Sequence, residues 1–165
     1  MSGQPRTYQS TTGFFGKVPG AGDFVARGLS PGVRGVLDHF LTSNLSQAAR
    51  RPELWPESGI RAAITAPTAP LLICIVPSLD AHKRAFPVAA CIALNATDQT
   101  SANAWAEAVI EPLWHEDNVE ALFAALQAAP RPFPSETPIA VPSVWFGQTT
   151  PQDLEKALSE LFCSS

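Results

Sequence analysis

The sequence predicts an α/β fold: one domain, a three-layer α/β/α sandwich around one mixed or antiparallel sheet. Apolar runs of strand length alternate with segments of helical periodicity, the pattern of a sheet covered by helices on both faces. The 165 residues, 45% hydrophobic, suit one domain able to bury a substantial core. Sixteen prolines, against a usual share of ~5%, bound the elements sharply.

Taken in order, residues 1–12 are polar and rich in Thr, Ser and Gln, and are expected to fray ahead of a domain over 13–165. Gly13 to Val18 is a short aromatic strand ended by Pro19-Gly20-Ala21-Gly22. Ser30 is placed to cap a helix with Pro31 at its first position. Val33, Val36, Leu37, Phe40, Leu41 and Leu45 give that helix one apolar face. After a Pro/Gly loop at 51–59 come three strands, 60–65, 71–76 and 86–94. The second is apolar on both faces, which places it centrally in a sheet covered on both sides.

A helix is expected over 101–111, broken or kinked at Pro112. Asp117 with Glu120 reads as a capping box opening another helix over 118–129, with Val119, Leu122, Phe123 and Leu126 on one face. Five prolines from Pro130 to Pro142 make an extended connector. Val144-Trp145-Phe146 is a last short strand. Thr150-Pro151-Gln152-Asp153 signals the final helix, whose Leu154, Leu158, Leu161 and Phe162 form an expected buried stripe.

Composition excludes several functions. Eleven Lys and Arg against fifteen Asp and Glu give a net charge of −4, with no electrostatic footprint for nucleic acid. Charged residues make up 16%, against roughly 25% in an average domain, consistent with a surface partly covered by a partner. No apolar run approaches the ~20 residues of a spanning helix, so no membrane insertion is expected. The first residues carry no signal-peptide core, and Ser2 stands where N-myristoylation requires glycine, so the expected location is cytoplasmic. Cys74, Cys91 and Cys163 are widely spaced with no C-x-x-C pair, which argues against zinc or redox chemistry. Cys74 and Cys91 read as small buried hydrophobes, and Cys163 has no local activating base.

Known reaction centres find little support. The glycine-rich stretch from Gly13 to Gly22 lacks the G-K-[ST] ending of a phosphate loop, and Pro19 removes a backbone donor. His39, His82 and His115 fall in no metal-binding pair, and Asp117 beside His115 is explained as a cap. No serine-nucleophile motif is present. Catalytic residues, cofactors and metals are therefore all expected to be none. Two polar sets remain: Lys17 and Asp23 flank the glycine turn, and Ser78, Asp80 and Arg84 follow the most buried strand. Ionic groups at the ends of core strands can frame a binding crevice. The simpler reading is an Asp–Arg pair tying two loops together.

Two stretches carry a resemblance. G-F-F-G-K-V-P-G-A-G-D-F-V at 13–25 resembles the opening signature of the TagF family of type VI secretion accessory proteins. I-V-P-S-L-D-A-H-K-R-A-F-P-V at 75–88 is similar to the family's second landmark, and Val144-Trp145-Phe146-Gly147 to its Trp-rich strand. Order and spacing match from about residue 13 to 162. Ile60-Arg61-Ala62 departs from the pattern, standing where a tryptophan-bearing strand is common.

The resemblance implies an α/β/α sandwich and a non-enzymatic, cytosolic, post-translational repressor of a bacterial type VI secretion system. It implies a secretion-component partner, a scaffold with a forkhead-associated domain. Any PP2C-type phosphatase partner would be a separate protein, since this chain is too short to carry one. Gly13, Phe15, Gly16, Pro19, Gly22, Phe24, Pro77, Phe86 and Pro87 carry over as fold-makers. Lys17, Asp23, Ser78, Asp80 and Arg84 carry over as candidate partner- or ligand-binding residues. The alternative is a small-ligand, phosphate or phosphopeptide-sensing domain that uses Lys17 and Arg84 as cationic groups.

Overall fold

The computed structural model describes residues 9–67 and 69–162. The chain runs β1 (Gly13–Gly16), β2 (Val25–Arg27), α1 (Val33–Asn44), β3 (Ile60–Ile64), β4 (Leu71–Val76) and β5 (Val88–Ala93). It then continues through α2 (Gln99–His115), α3 (Val119–Gln127), β6 (Ser143–Trp145) and α4 (Leu154–Phe162). Two single 3₁₀ turns, Ala48–Arg50 and Pro52–Leu54, follow α1. The six strands form one sheet in the order β2-β1-β5-β4-β3-β6, and every neighbouring pair is antiparallel. The sandwich is thus α/β with a purely antiparallel sheet.

Strand periodicity explains the two cores. On β4, Leu72, Cys74 and Val76 face α2 and α3, where Trp105, Val109, Leu113, Leu122 and Leu126 cover them. Leu71, Ile73 and Ile75 point to the other face, under Val33, Leu37 and Leu41 of α1 and Ala157 of α4. Each large aliphatic side chain so buried contributes about 2 kcal/mol of hydrophobic stabilisation. A strand apolar at every position is stable only where both faces are covered, as here. Burial pushes the Cys74 and Cys91 thiols up to about 12, so both act as packing groups.

The structure corrects several expected boundaries. Of the N-terminal segment 1–12, residues 1–8 lie outside the described residues, and residues 9–12 are hydrogen-bonded to the domain. The Gln9 amide donates to Thr11 and Gly28 carbonyls and accepts from the Ser30 N–H, while Thr12 accepts from the Trp105 indole. Ser30 does not cap α1: Gly32, at φ 86, takes that position after a turn closed by Val33 N–H to Ser30 O. β2 has no sequence signal; three residues are too few to show a period.

α2 runs through Pro112 rather than stopping there. The carbonyl that Pro112 leaves unpaired belongs to exposed Ala108, where solvent can satisfy it. Asn118, not Asp117, caps α3, its Oδ1 accepting the Ala121 N–H at 2.9 Å. α4 starts at Leu154 because Gln152 is used to seal the outer edge of β6, exchanging both backbone bonds with Val144. Its stripe is half-buried, with only Ala157 buried outright. Cys163 lies outside the described residues. No described helix is long and apolar enough to cross a membrane.

Candidate functional site

β1 and β4 both run antiparallel to β5 between them, so they run in the same direction. Their C-terminal ends therefore meet at one end of the sheet. The glycine turn after β1 and the loop after β4 become neighbours there, and the Ala81 N–H donates to the Ala21 carbonyl at 2.7 Å.

The loop folds as a small hairpin. Leu79 and Ala85 bridge its base, and the Phe86 N–H bonds the Ser78 carbonyl below them. Asp80, buried at the centre, organises the rest. Its Oδ1 accepts the N–H groups of His82 at 2.8 Å and Arg84 at 3.0 Å. Its Oδ2 accepts Arg84 Nε at 2.8 Å and faces Lys17 Nζ at 3.2 Å. Arg84 continues outward, one terminal nitrogen donating to the Gly22 carbonyl at 2.8 Å. The carboxylate therefore ties both loops to each other.

Burial opposes the charge of Asp80. The Arg84 N–H, the Lys17 ammonium, the His82 N–H and the Arg84 guanidinium outweigh it, holding the carboxyl well below the usual carboxylate range. Lys17 also sits over the Phe24 ring, 4.8 Å from its centroid. Phe24 stacks on Phe15 at 5.6 Å and meets Phe86 edge-on at 4.9 Å. A Cβ at Gly16, whose φ is 146, would be driven into the Pro87 carbonyl oxygen, so this crossing of β1 and β5 requires glycine.

Lys17, Asp80 and Arg84 are thus brought together, with Lys17 only 7% exposed. Asp23 stands apart, its Oδ1 accepting the N–H of its neighbour Phe24 at 2.7 Å. Ser78 is half-buried and lines a cleft of about 420 Å³ with Pro19, Pro77, Leu79, Leu113 and Trp114. Phe24 and Leu79, each 39% exposed, present apolar surface at this end. Among the described residues no group of three or more His, Cys, Asp or Glu side chains is placed to hold a metal.

The family model of the TagF N-terminal domain, described as type VI secretion system-associated, matches residues 13–132. The chain belongs to the TagF family. That match covers β1 through α3, and with them every residue of the Asp80 cluster. TagF-family membership makes this a type VI secretion-associated protein. The crystal structure of PA0076 from Pseudomonas aeruginosa PAO1 superposes with a TM-score of 0.56 at 23% identity, covering 92% of this chain and 76% of that one. The likeness extends the shared fold beyond residue 132. A search of curated proteins returns no match.

The sequence did not reveal the exposure of Phe24, which reads as a core aromatic, nor that of Leu79. It also missed a buried cation under α2. Arg61 Nη1 donates to Asn103 Oδ1 at 2.7 Å, the same oxygen that takes the Trp145 indole at 2.8 Å. Strand pairing of Arg61 with Trp145 across β3 and β6 puts them side by side. An arginine inside an apolar strand was the available signal.

Proposed function

We propose that this TagF-family chain is a non-enzymatic, cytoplasmic binding module that represses its type VI secretion apparatus by occupying a component the active assembly needs. The observation that carries this reading is the Asp80 cluster. It spends its charged groups on one another, and so serves as a rigid base for exposed apolar side chains. Lys17 faces the Asp80 carboxylate, and among the described residues no histidine is hydrogen-bonded to Ser78 to activate it as a nucleophile. Sensing of phosphate by Lys17 and Arg84 together is disfavoured for the same reason: both cations are already engaged by Asp80.

The mode of binding follows from the edges. Gln152 seals β6, and at the opposite edge Arg27 donates to the Ala26 carbonyl and pairs with Glu120 at 3.0 Å. With both edges short and covered, strand addition is disfavoured, and loops and side chains carry recognition. The partner we assign is a secretion scaffold with a forkhead-associated domain.

Affinity capture of the tagged chain from its native cytosol, with mass spectrometry of what co-purifies, tests the reading. Recovery of that scaffold or another secretion component is the expected result. Recovery of the chain alone from cells expressing the apparatus would contradict it.

A further inference from the structure

We propose that the hairpin tip at 79–85 docks an acidic peptide segment of a protein partner, with one apolar residue of that segment seated in the adjoining cleft. This rests on the reading of that sheet end as the partner-binding end, and names the chemistry it takes.

His82, Lys83 and Arg84 stand exposed in succession at the apex. Neither the Lys83 ammonium nor the His82 ring has an ion-pair or hydrogen-bond partner among the described residues. Lys83 adopts φ 66, fixed by its N–H bond to the Asp80 carbonyl at 3.0 Å. Glycine would take that conformation at no steric cost, whereas an L side chain there costs on the order of 1 kcal/mol. The fold tolerates a strained lysine whose charge points at nothing of its own. Asp80 is turned inward and its carboxylate is taken up by Lys17 and Arg84, which leaves the Lys83 ammonium as the uncompensated charge of the tip.

Charge decides the partner. The whole chain carries −4, so a cationic tip is opposite in sign to the rest. The unpaired Lys83 ammonium attracts an acidic segment, and exposed Arg50, which lines the adjoining cleft, adds a second cation beside it. Beside the tip, Leu79 leads into the cleft of about 420 Å³ that Pro19, Pro77, Ala85 and Trp114 also line. Glu116 and Asp117 line that cleft too, so the acidic residues of the segment belong over 82–84 and the apolar one in the cleft. The Asp80 hydrogen bonds preorganise the loop, so little ordering is left for the encounter.

The test is amide shift mapping of the isotope-labelled full chain with three probes at matched ionic strength. They are a synthetic peptide of glutamates flanking a Leu-Phe pair, its all-lysine counterpart, and sodium phosphate. Shifts confined to Gly22–Phe24, Leu79–Phe86 and Trp114, and produced by the acidic peptide alone, are expected. Lys83→Glu should weaken that peptide about tenfold, while Lys156→Glu on exposed α4 changes nothing. An equal response to the lysine peptide, the same shifts from phosphate alone, shifts elsewhere, or none would each overturn the assignment. Capture of the native partner undiminished by Lys83→Glu would also overturn it and leave the repressor reading standing. Failure of the unsubstituted chain to capture any secretion component would instead sink that reading, with the peptide titration still deciding the tip.

Discussion

Lys17 Nζ lies 3.2 Å from Asp80 Oδ2, and neither side chain is free to reach solvent. One residue lies within the first family motif and the other within the second, so their pairing joins the two. Substituting Asp80 by Asn should lower the thermal unfolding midpoint more than any other single charge removal at this end. It would strand Lys17 and leave Arg84 and two backbone N–H groups with a weaker acceptor. Scanning calorimetry of Asp80→Asn, Asp23→Asn and Lys83→Ala gives the ranking.

The same pair sets an acid limb. Asp80 has a depressed folded pKa, so its stabilisation is complete above the unfolded carboxyl value near ~4. It is lost as pH falls below that value and toward the folded one. Urea unfolding at neutral and acid pH should therefore show the wild-type advantage over Asp80→Asn shrinking as pH falls below about 4. An advantage that is constant with pH would assign it to packing instead.

Two glycines should respond with opposite signs. Gly16→Ala forces a Cβ into the Pro87 carbonyl at φ 146 and should cost about 3 kcal/mol or more. Gly35, inside α1, has open space where its Cβ would stand, so Gly35→Ala should stabilise by about 0.5–1 kcal/mol. Chemical denaturation of both variants measures the contrast.

Capping separates neighbours that sequence alone confuses. Asn118→Ala should cost about 1 kcal/mol, and Asp117→Ala within about 0.5 kcal/mol, because only Asn118 accepts from the first turn of α3. Equal costs would return the cap to Asp117.

Asn103 is the hinge of the second buried network. Its Oδ1 serves both Arg61 and Trp145, so Asn103→Leu leaves the indole unsatisfied and the buried Arg61 with only the Gly147 carbonyl at 3.3 Å, and should cost about 3–5 kcal/mol. Arg61→Met removes the charge itself and should cost less. The reverse order in equilibrium unfolding would mean that the guanidinium, not the amide, holds β6 to α2.

Where periodicity carried information, the sequence already contained the fold. The all-apolar β4 announced its central place, and the i, i+3, i+4 spacing of α1 announced its buried face. Boundaries were less legible because tertiary contacts override local signals. Asp117 is drawn away from capping as its carbonyl takes the Gly20 N–H at 3.0 Å, and Gln152 is taken by the sheet edge. At the candidate site the residue types were visible, but not that Lys17 and Arg84 share one carboxylate, which depends on β1 and β4 running the same way. Phe24 and Leu79 look like core residues in one dimension; only the fold leaves them at the surface.

The central claim, that the chain acts by holding a secretion component at this end of the sheet, is tested most directly by calorimetric titration. The purified chain and the forkhead-associated scaffold of its own secretion cluster would be titrated for the unsubstituted protein and for Leu79→Glu. Saturable binding, weakened at least about tenfold by Leu79→Glu with an unchanged unfolding midpoint, is the predicted result. No binding by the unsubstituted chain, or binding that Leu79→Glu leaves intact, would contradict it.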